Sequence, residues 1–118
     1  MRAATAPWLW FLWTAAILVA TTWPDPARVL PPSALSWDKA AHVAMFLPYG
    51  LLAGLSLAGR ARRWPWLPVL AFPVLDELLQ LPIPGRFCSP ADVLANAAGT
   101  VLGLAAAWAW VRPRRAGR

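Results

Sequence analysis

Long apolar runs, broken by short polar or proline-rich stretches, divide the chain into four segments at about Pro7 to Trp23, Ala40 to Ala58, Trp64 to Leu81 and Val93 to Val111. Each approaches the roughly 20 apolar residues that carry a helix across a bilayer, which predicts an all-α membrane protein built as a four-transmembrane-helix bundle. The first segment is short and has to recruit its flanks. The third carries Asp76, Glu77 and Gln80 and is the weakest by hydropathy. Trp8, Trp10, Trp23, Trp37, Trp64, Trp66, Trp108 and Trp110 fall near segment ends, where indole rings favour the membrane interface, and only Trp13 lies well inside a segment.

Composition sharpens this picture. Hydrophobic residues make up 59% of the 118 residues and charged residues 14%, and the mean hydropathy is +0.50; a soluble core of this size cannot absorb that excess. The net charge of +6 does not indicate nucleic acid, because the arginines stand in short clusters between apolar stretches. If four helices cross, Arg2, Arg60, Arg62, Arg63, Arg112, Arg114, Arg115 and Arg118 share one side, against Arg28, Lys39 and Arg86 on the other. Positive residues are retained inside, so both termini are expected to be cytoplasmic, in a multi-pass membrane protein. Residues 1–111 read as a single transmembrane domain and 112–118 as a basic cytoplasmic tail. Met1-Arg2 and the run behind it imitate a secretory signal, but Thr22-Trp23-Pro24 is a poor cleavage site and more apolar segments follow.

Helix starts, bends and contacts are also legible. Ser89, Pro90 and Asp92 occupy N-cap, first-turn and capping-box positions for the fourth helix, and Ser36 with Asp38 does the same for the second. Pro73 removes the amide that would bond the Val69 carbonyl, so a bend is expected just before Asp76. Gly50 with Gly54, and Gly99 with Gly103, form small-xxx-small pairs that let the second and fourth helices approach closely.

Polar groups inside membrane segments are costly and normally face a cavity or a partner. Asp38 and His42, Asp76 and Gln80, and Asp92 and Asn96 each lie one turn apart on their own helix, with Lys39 and Glu77 at the stripe edges. His42 is near the start of its helix, Gln80 near the end and Asn96 near the start, so antiparallel neighbours place all three in one leaflet, the outer one if both termini are inside. Arg86 lies in the loop above. Met45, Phe46 and Tyr49 continue inward and are expected to form an apolar floor with the Gly99 face.

Taken in order, Asp38-Lys39-x-x-His42-x-x-x-Phe46, then Asp76-Glu77-x-x-Gln80, then Gly85-Arg86-x-x-Ser89-x-x-Asp92-Val93-x-x-Asn96-x-x-Gly99 closely resembles the VanZ-like family of small bacterial membrane proteins. The resemblance runs from about Ser36 to the end of the fourth helix. It implies a cell-envelope role, since members are associated with resistance to teicoplanin-type glycopeptide antibiotics. Pro48 is less usual for that family and bears on how straight the second helix is.

Each polar residue has a structural alternative. Asp92 serves equally as the capping acid of Ser89, Asp38 as a complement to the helix dipole, His42 as a packed, hydrogen-bonded side chain, and Asp76 with Glu77 as partners of Arg86. The functional alternative is an outward polar pocket that binds a lipid or cell-wall precursor headgroup through Asp38, Lys39, His42, Asp76, Glu77, Gln80, Arg86, Asp92 and Asn96. A competing reading is an intramembrane hydrolase or transferase acting on a lipid-linked substrate, with His42 and Asp76 or Glu77 as general acid and base. A metal held by His42 with Asp38, Asp76 and Asp92 fits the donor chemistry, but with one histidine and no HxxxH or HExxH pattern none is expected, nor any other cofactor. The expected partners are membrane lipids or a lipid-linked envelope precursor, with no nucleic acid; a homo-oligomer stays open.

Overall fold

Glycine spacing and proline position decide how the helices meet. The computed structural model describes residues 5–24, 37–58 and 66–116, with side chains through Arg112. Among these, α1 spans Ala6–Thr21, α2 Asp38–Leu57, α3 Trp66–Gln80 and α4 Pro90–Ala116. The all-helical expectation holds, and each helix falls on one of the apolar segments. With 20 and 27 residues, α2 and α4 extend about 30 and 40 Å, and both are long and apolar enough to cross a membrane. The others have 16 and 15 residues, about 24 and 22 Å, less than the hydrocarbon thickness of about 30 Å. The α4 helix continues past Val111 to Ala116, so the basic tail starts as an extension of the helix. Arg2, Arg28, Arg60, Arg62, Arg63 and Arg118, on which much of the orientation argument rests, lie outside the described residues, as do Ser36, Trp64 and Pro65.

The α2–α4 pair is in direct backbone contact. A Cβ placed on Gly50 would overlap the Thr100 carbonyl oxygen, and one on Gly103 would overlap the Leu47 carbonyl oxygen and come within 2.5 Å of the Leu51 amide nitrogen. The expected small-residue seam is therefore present, and only hydrogen in place of a side chain permits it. Beside it, Ile17, Phe46, Tyr49, Ala53, Leu57 and Val69 form the apolar core. Phe72 and Tyr49 lie with ring centroids 4.9 Å apart, and Phe46 meets Tyr49 edge-on at 5.7 Å. Phe46 and Tyr49 are the apolar floor expected from their stripe, with Met45 at its margin.

Carbonyls at or beside the breaks made by Pro73 and Pro48 are used by neighbouring helices. The Val69 carbonyl, denied an amide by Pro73, accepts the Tyr49 hydroxyl at 3.3 Å, and the carbonyl of Pro73 itself accepts Asn96 Nδ2 at 3.4 Å. In α2, Pro48 removes the amide partner of Ala44, and the adjoining Met45 carbonyl accepts Trp13 Nε1 at 2.8 Å. Trp13 thus ties α1 to α2 from within its segment. The helix α2 nevertheless runs unbroken from Asp38 to Leu57.

Inside and outside are inverted relative to a soluble protein. Among the described residues as many polar side chains are buried as apolar ones, while Trp8, Phe11 and Leu12 on α1, Leu67, Leu75 and Leu79 on α3, and Leu94, Val101 and Trp108 on α4 are exposed. A contiguous apolar exterior around a polar interior is the distribution a lipid solvent demands.

Candidate functional site

The N-termini of α2 and α4 and the C-terminus of α3 lie at one end of the bundle, and their polar residues meet there. Pro90 opens α4 at its first position, and Ser89 before it accepts the Ala91 amide on Oγ at 3.2 Å. The reciprocal half of the expected capping box is not supplied by Asp92. Instead the Ser89 amide donates to Glu77 Oε2 at 3.4 Å, so a carboxylate from α3 occupies that role. Asp92 is released to accept Lys39 Nζ, which also donates to Asp38 Oδ2 at 3.2 Å.

Below this mouth runs a series of hydrogen bonds. His42 Nδ1 and Asn96 Oδ1 are 2.7 Å apart, and Asn96 Nδ2 donates to Glu77 Oε1 at 3.4 Å and to the Pro73 carbonyl. Gln80 Nε2 donates to the same Glu77 oxygen at 3.2 Å. Because the Asn96 amide nitrogen is engaged by two acceptors, its oxygen faces the imidazole, and Nδ1 of a neutral His42 carries the proton. The lone pair of Nε2 then points to the mouth, 3.6 Å from Asp38 Oδ1 and 4.0 Å from Asp92 Oδ1. Burial deepens along this path. The Lys39 and Asp38 side chains are 53% and 44% exposed, His42 is 5% exposed and Asp92 6%, and Asn96 and Glu77 are fully enclosed.

The structure redistributes three residues. Glu77, expected at the edge of its stripe, is the centre of the network. Asp76 points elsewhere: its Oδ1 accepts the Thr21 hydroxyl of α1 at 2.7 Å, and its buried Oδ2 has no partner among the described residues. Adjacent positions on a helix differ by about 100°, so two neighbouring acids address two different helices. Arg86 pairs with neither of them by hydrogen bond. Its Nε and Nη2 donate to the Trp23 and Ala20 carbonyls at 2.9 and 2.7 Å, satisfying the end of α1. Gly85, with φ 78°, makes the turn that sends Arg86 there.

Two contributors were not singled out from sequence. Thr21 binds Asp76, and the only signal for it is a hydroxyl at the end of an apolar run. Trp13 was marked by position alone. Asp38, His42 and Asp92 each offer one ligand atom, all within 4.8 Å of one another, whereas Asp76 does not join them. A cavity of about 510 Å³ lies at the opposite end of α2 and α4, lined by Gly54, Leu57, Trp66, Leu104, Trp108 and Arg112 among others. It is apolar and separate from the polar cluster.

Chemically, the cluster can accept protons or cations at the mouth and hold His42 in one orientation through Asn96 and Glu77. No curated protein and no solved structure matches the chain. The model of the VanZ/LLP1 family matches residues 4–111. With nearly its whole length covered by that match, the chain belongs to the VanZ/LLP1 family.

Proposed function

We propose that this chain is a multi-pass protein of the bacterial cytoplasmic membrane, with four spans and both termini cytoplasmic, whose outward polar cluster engages the headgroup of a lipid or a lipid-linked cell-wall precursor. The observation that carries this reading is the graded polar path from the exposed Lys39 and Asp38 through His42 and Asp92 to the enclosed Asn96 and Glu77, set in an apolar exterior. Polar groups retained at such cost inside a membrane segment normally mark a ligand path. Lys39, with Arg86 committed to α1, is the cation placed to meet an anionic headgroup. An influence on susceptibility to teicoplanin-type antibiotics is the envelope consequence that family membership supports.

Topology is tested by cysteine labelling in intact cells, starting from Cys88→Ser. A cysteine at Arg86 is expected to react with an impermeant maleimide and one at Arg62 to be protected; the reverse pattern contradicts the orientation. Headgroup capture is tested by mass spectrometry of lipids retained through detergent purification. The native chain should retain one anionic class, and Lys39→Ala should lower its occupancy severalfold. Equal retention in both contradicts the headgroup reading.

A second reading rests on a different observation. The bond from His42 Nδ1 to Asn96 fixes the tautomer and leaves Nε2 free at the mouth, the arrangement a general base needs. On that reading the cluster is the centre of an intramembrane hydrolase or transferase, with Glu77 orienting His42 through Asn96.

A further inference from the structure

Three electron-pair donors converge at the outer end of the α2–α4 seam: Nε2 of His42, Oδ1 of Asp38 and Oδ1 of Asp92. None of the three repulsions among them is relieved by a hydrogen bond from one to another, since Nε2 stands 3.6 and 4.0 Å from the two carboxylate oxygens and its ring proton is spent on Asn96. His42 is 95% buried as a residue, and its Nε2, with no hydrogen bond among the described residues, faces the two acids at the mouth. A proton on Nε2 or a bound cation resolves such a grouping. Lys39 supplies part of one, bonding both carboxylates, but among the described residues no hydrogen bond joins its ammonium to Nε2. The ammonium is also half-exposed on a flexible stem and free to swing out.

We propose that Asp38, His42 and Asp92 form a divalent transition-metal site, best suited to zinc, which the Lys39 ammonium closes when no metal is bound. A zinc ion at about 2.0–2.2 Å from imidazole nitrogen and carboxylate oxygen sets its ligand atoms about 3.4 Å apart in a tetrahedron; Nε2 stands 3.6 and 4.0 Å from the two carboxylate oxygens, and all three donors lie within 4.8 Å of one another, so a modest closure brings them onto one ion. The support that a metal-bound imidazole needs on its far side is already in place. The nitrogen opposite the metal-facing one donates to Asn96, which Glu77 and the Pro73 carbonyl hold in turn. Three protein ligands leave a coordination position open to the mouth, the pattern of zinc sites that bind an exogenous ligand. The sequence argued against a metal because it lacks a two-histidine helix motif; the three donors instead come from two helices, and Asp76, counted with them on sequence, is not needed. The proposal does not depend on headgroup binding, since the metal is held by protein atoms alone.

The test uses the full chain, purified in detergent with a histidine-free tag and stripped with chelator. Zinc affinity is measured by competition with a chromophoric chelator and geometry by the visible absorption of a cobalt complex. The native chain should bind one zinc per chain and give an intense, tetrahedral cobalt spectrum. Asp38→Asn, on a side chain exposed enough to leave folding intact, should weaken zinc on the order of tenfold or more, and His42→Gln on the order of 100-fold. Lys39→Met should tighten binding about tenfold by removing the competing cation. Absence of stoichiometric zinc in both the native chain and Lys39→Met overturns the proposal. So does zinc affinity unchanged in Asp38→Asn and His42→Gln. Because the readout is metal stoichiometry and affinity, not lipid occupancy, its failure is distinct from failure of the headgroup reading.

Discussion

Gly103→Val is expected to abolish the folded state. Even a single added carbon at that position runs into the Leu47 carbonyl oxygen and the Leu51 amide on α2, and backbone cannot move aside as a flexible side chain does. Overpacking a well-packed core typically costs about 1–3 kcal/mol, and with two backbone atoms in the way the penalty here should reach or exceed the upper end. The helices would part along the seam that holds the polar cluster together, since His42 and Asn96 stand on opposite sides of it. Fluorescence-detected size-exclusion chromatography and thermal stability in detergent provide the measurement. Val101→Leu, on the exposed face of α4 two residues away, is the control and should behave as the native chain. A native-like melting temperature for Gly103→Val would contradict the seam.

His42→Gln and Glu77→Gln distinguish capture of a headgroup from acid–base catalysis. Glutamine at position 77 keeps an acceptor for Asn96, Gln80 or Ser89 and nearly the same volume, so the protein should still fold, in contrast to Glu77→Ala, which strands those three donors at about 1–3 kcal/mol each. A hydrogen-bonding site then keeps part of its activity in both glutamine variants. A site that moves a proton loses the roughly 10²–10⁴-fold that a positioned acid or base supplies. Glycopeptide and detergent sensitivity of cells, at matched expression, provide the readout. Complete loss in both variants with lipid retention intact selects the enzyme, and partial activity selects the binder.

The sequence carried faces and depths well. The polar stripes, two glycine pairs and the carbonyl that Pro73 leaves open were all legible, because periodicity and backbone chemistry are local properties. What it did not carry was the choice of neighbour. Asp76 and Glu77 read as one acidic pair, yet one binds Thr21 and the other Asn96, since the angle between adjacent helix positions matters only once the helices on each side are known. Arg86 read as the cation above the acids because its loop has no periodicity to aim it; the positive φ of Gly85 turns it onto α1. Spacing left Asp92 open between the Ser89 cap and the polar site, and Glu77, 12 residues before Ser89, takes the capping place.

The partners of Glu77 also have an order in time. Gln80 meets one of its oxygens from within α3, but the Ser89 amide comes 12 residues later and Asn96 19 residues later, so the ribosome delivers α3 before most of the groups that satisfy its buried acid exist. In the four-span arrangement proposed above, α3 is a poor substrate for lipid during that interval and would linger at the interface or beside the insertion machinery until α4 arrives. The Ser89-Pro90 boundary is then a commitment point in biogenesis. Chains arrested before it should remain accessible to proteases and quality control, while chains extended through Asn96 become resistant in a single step.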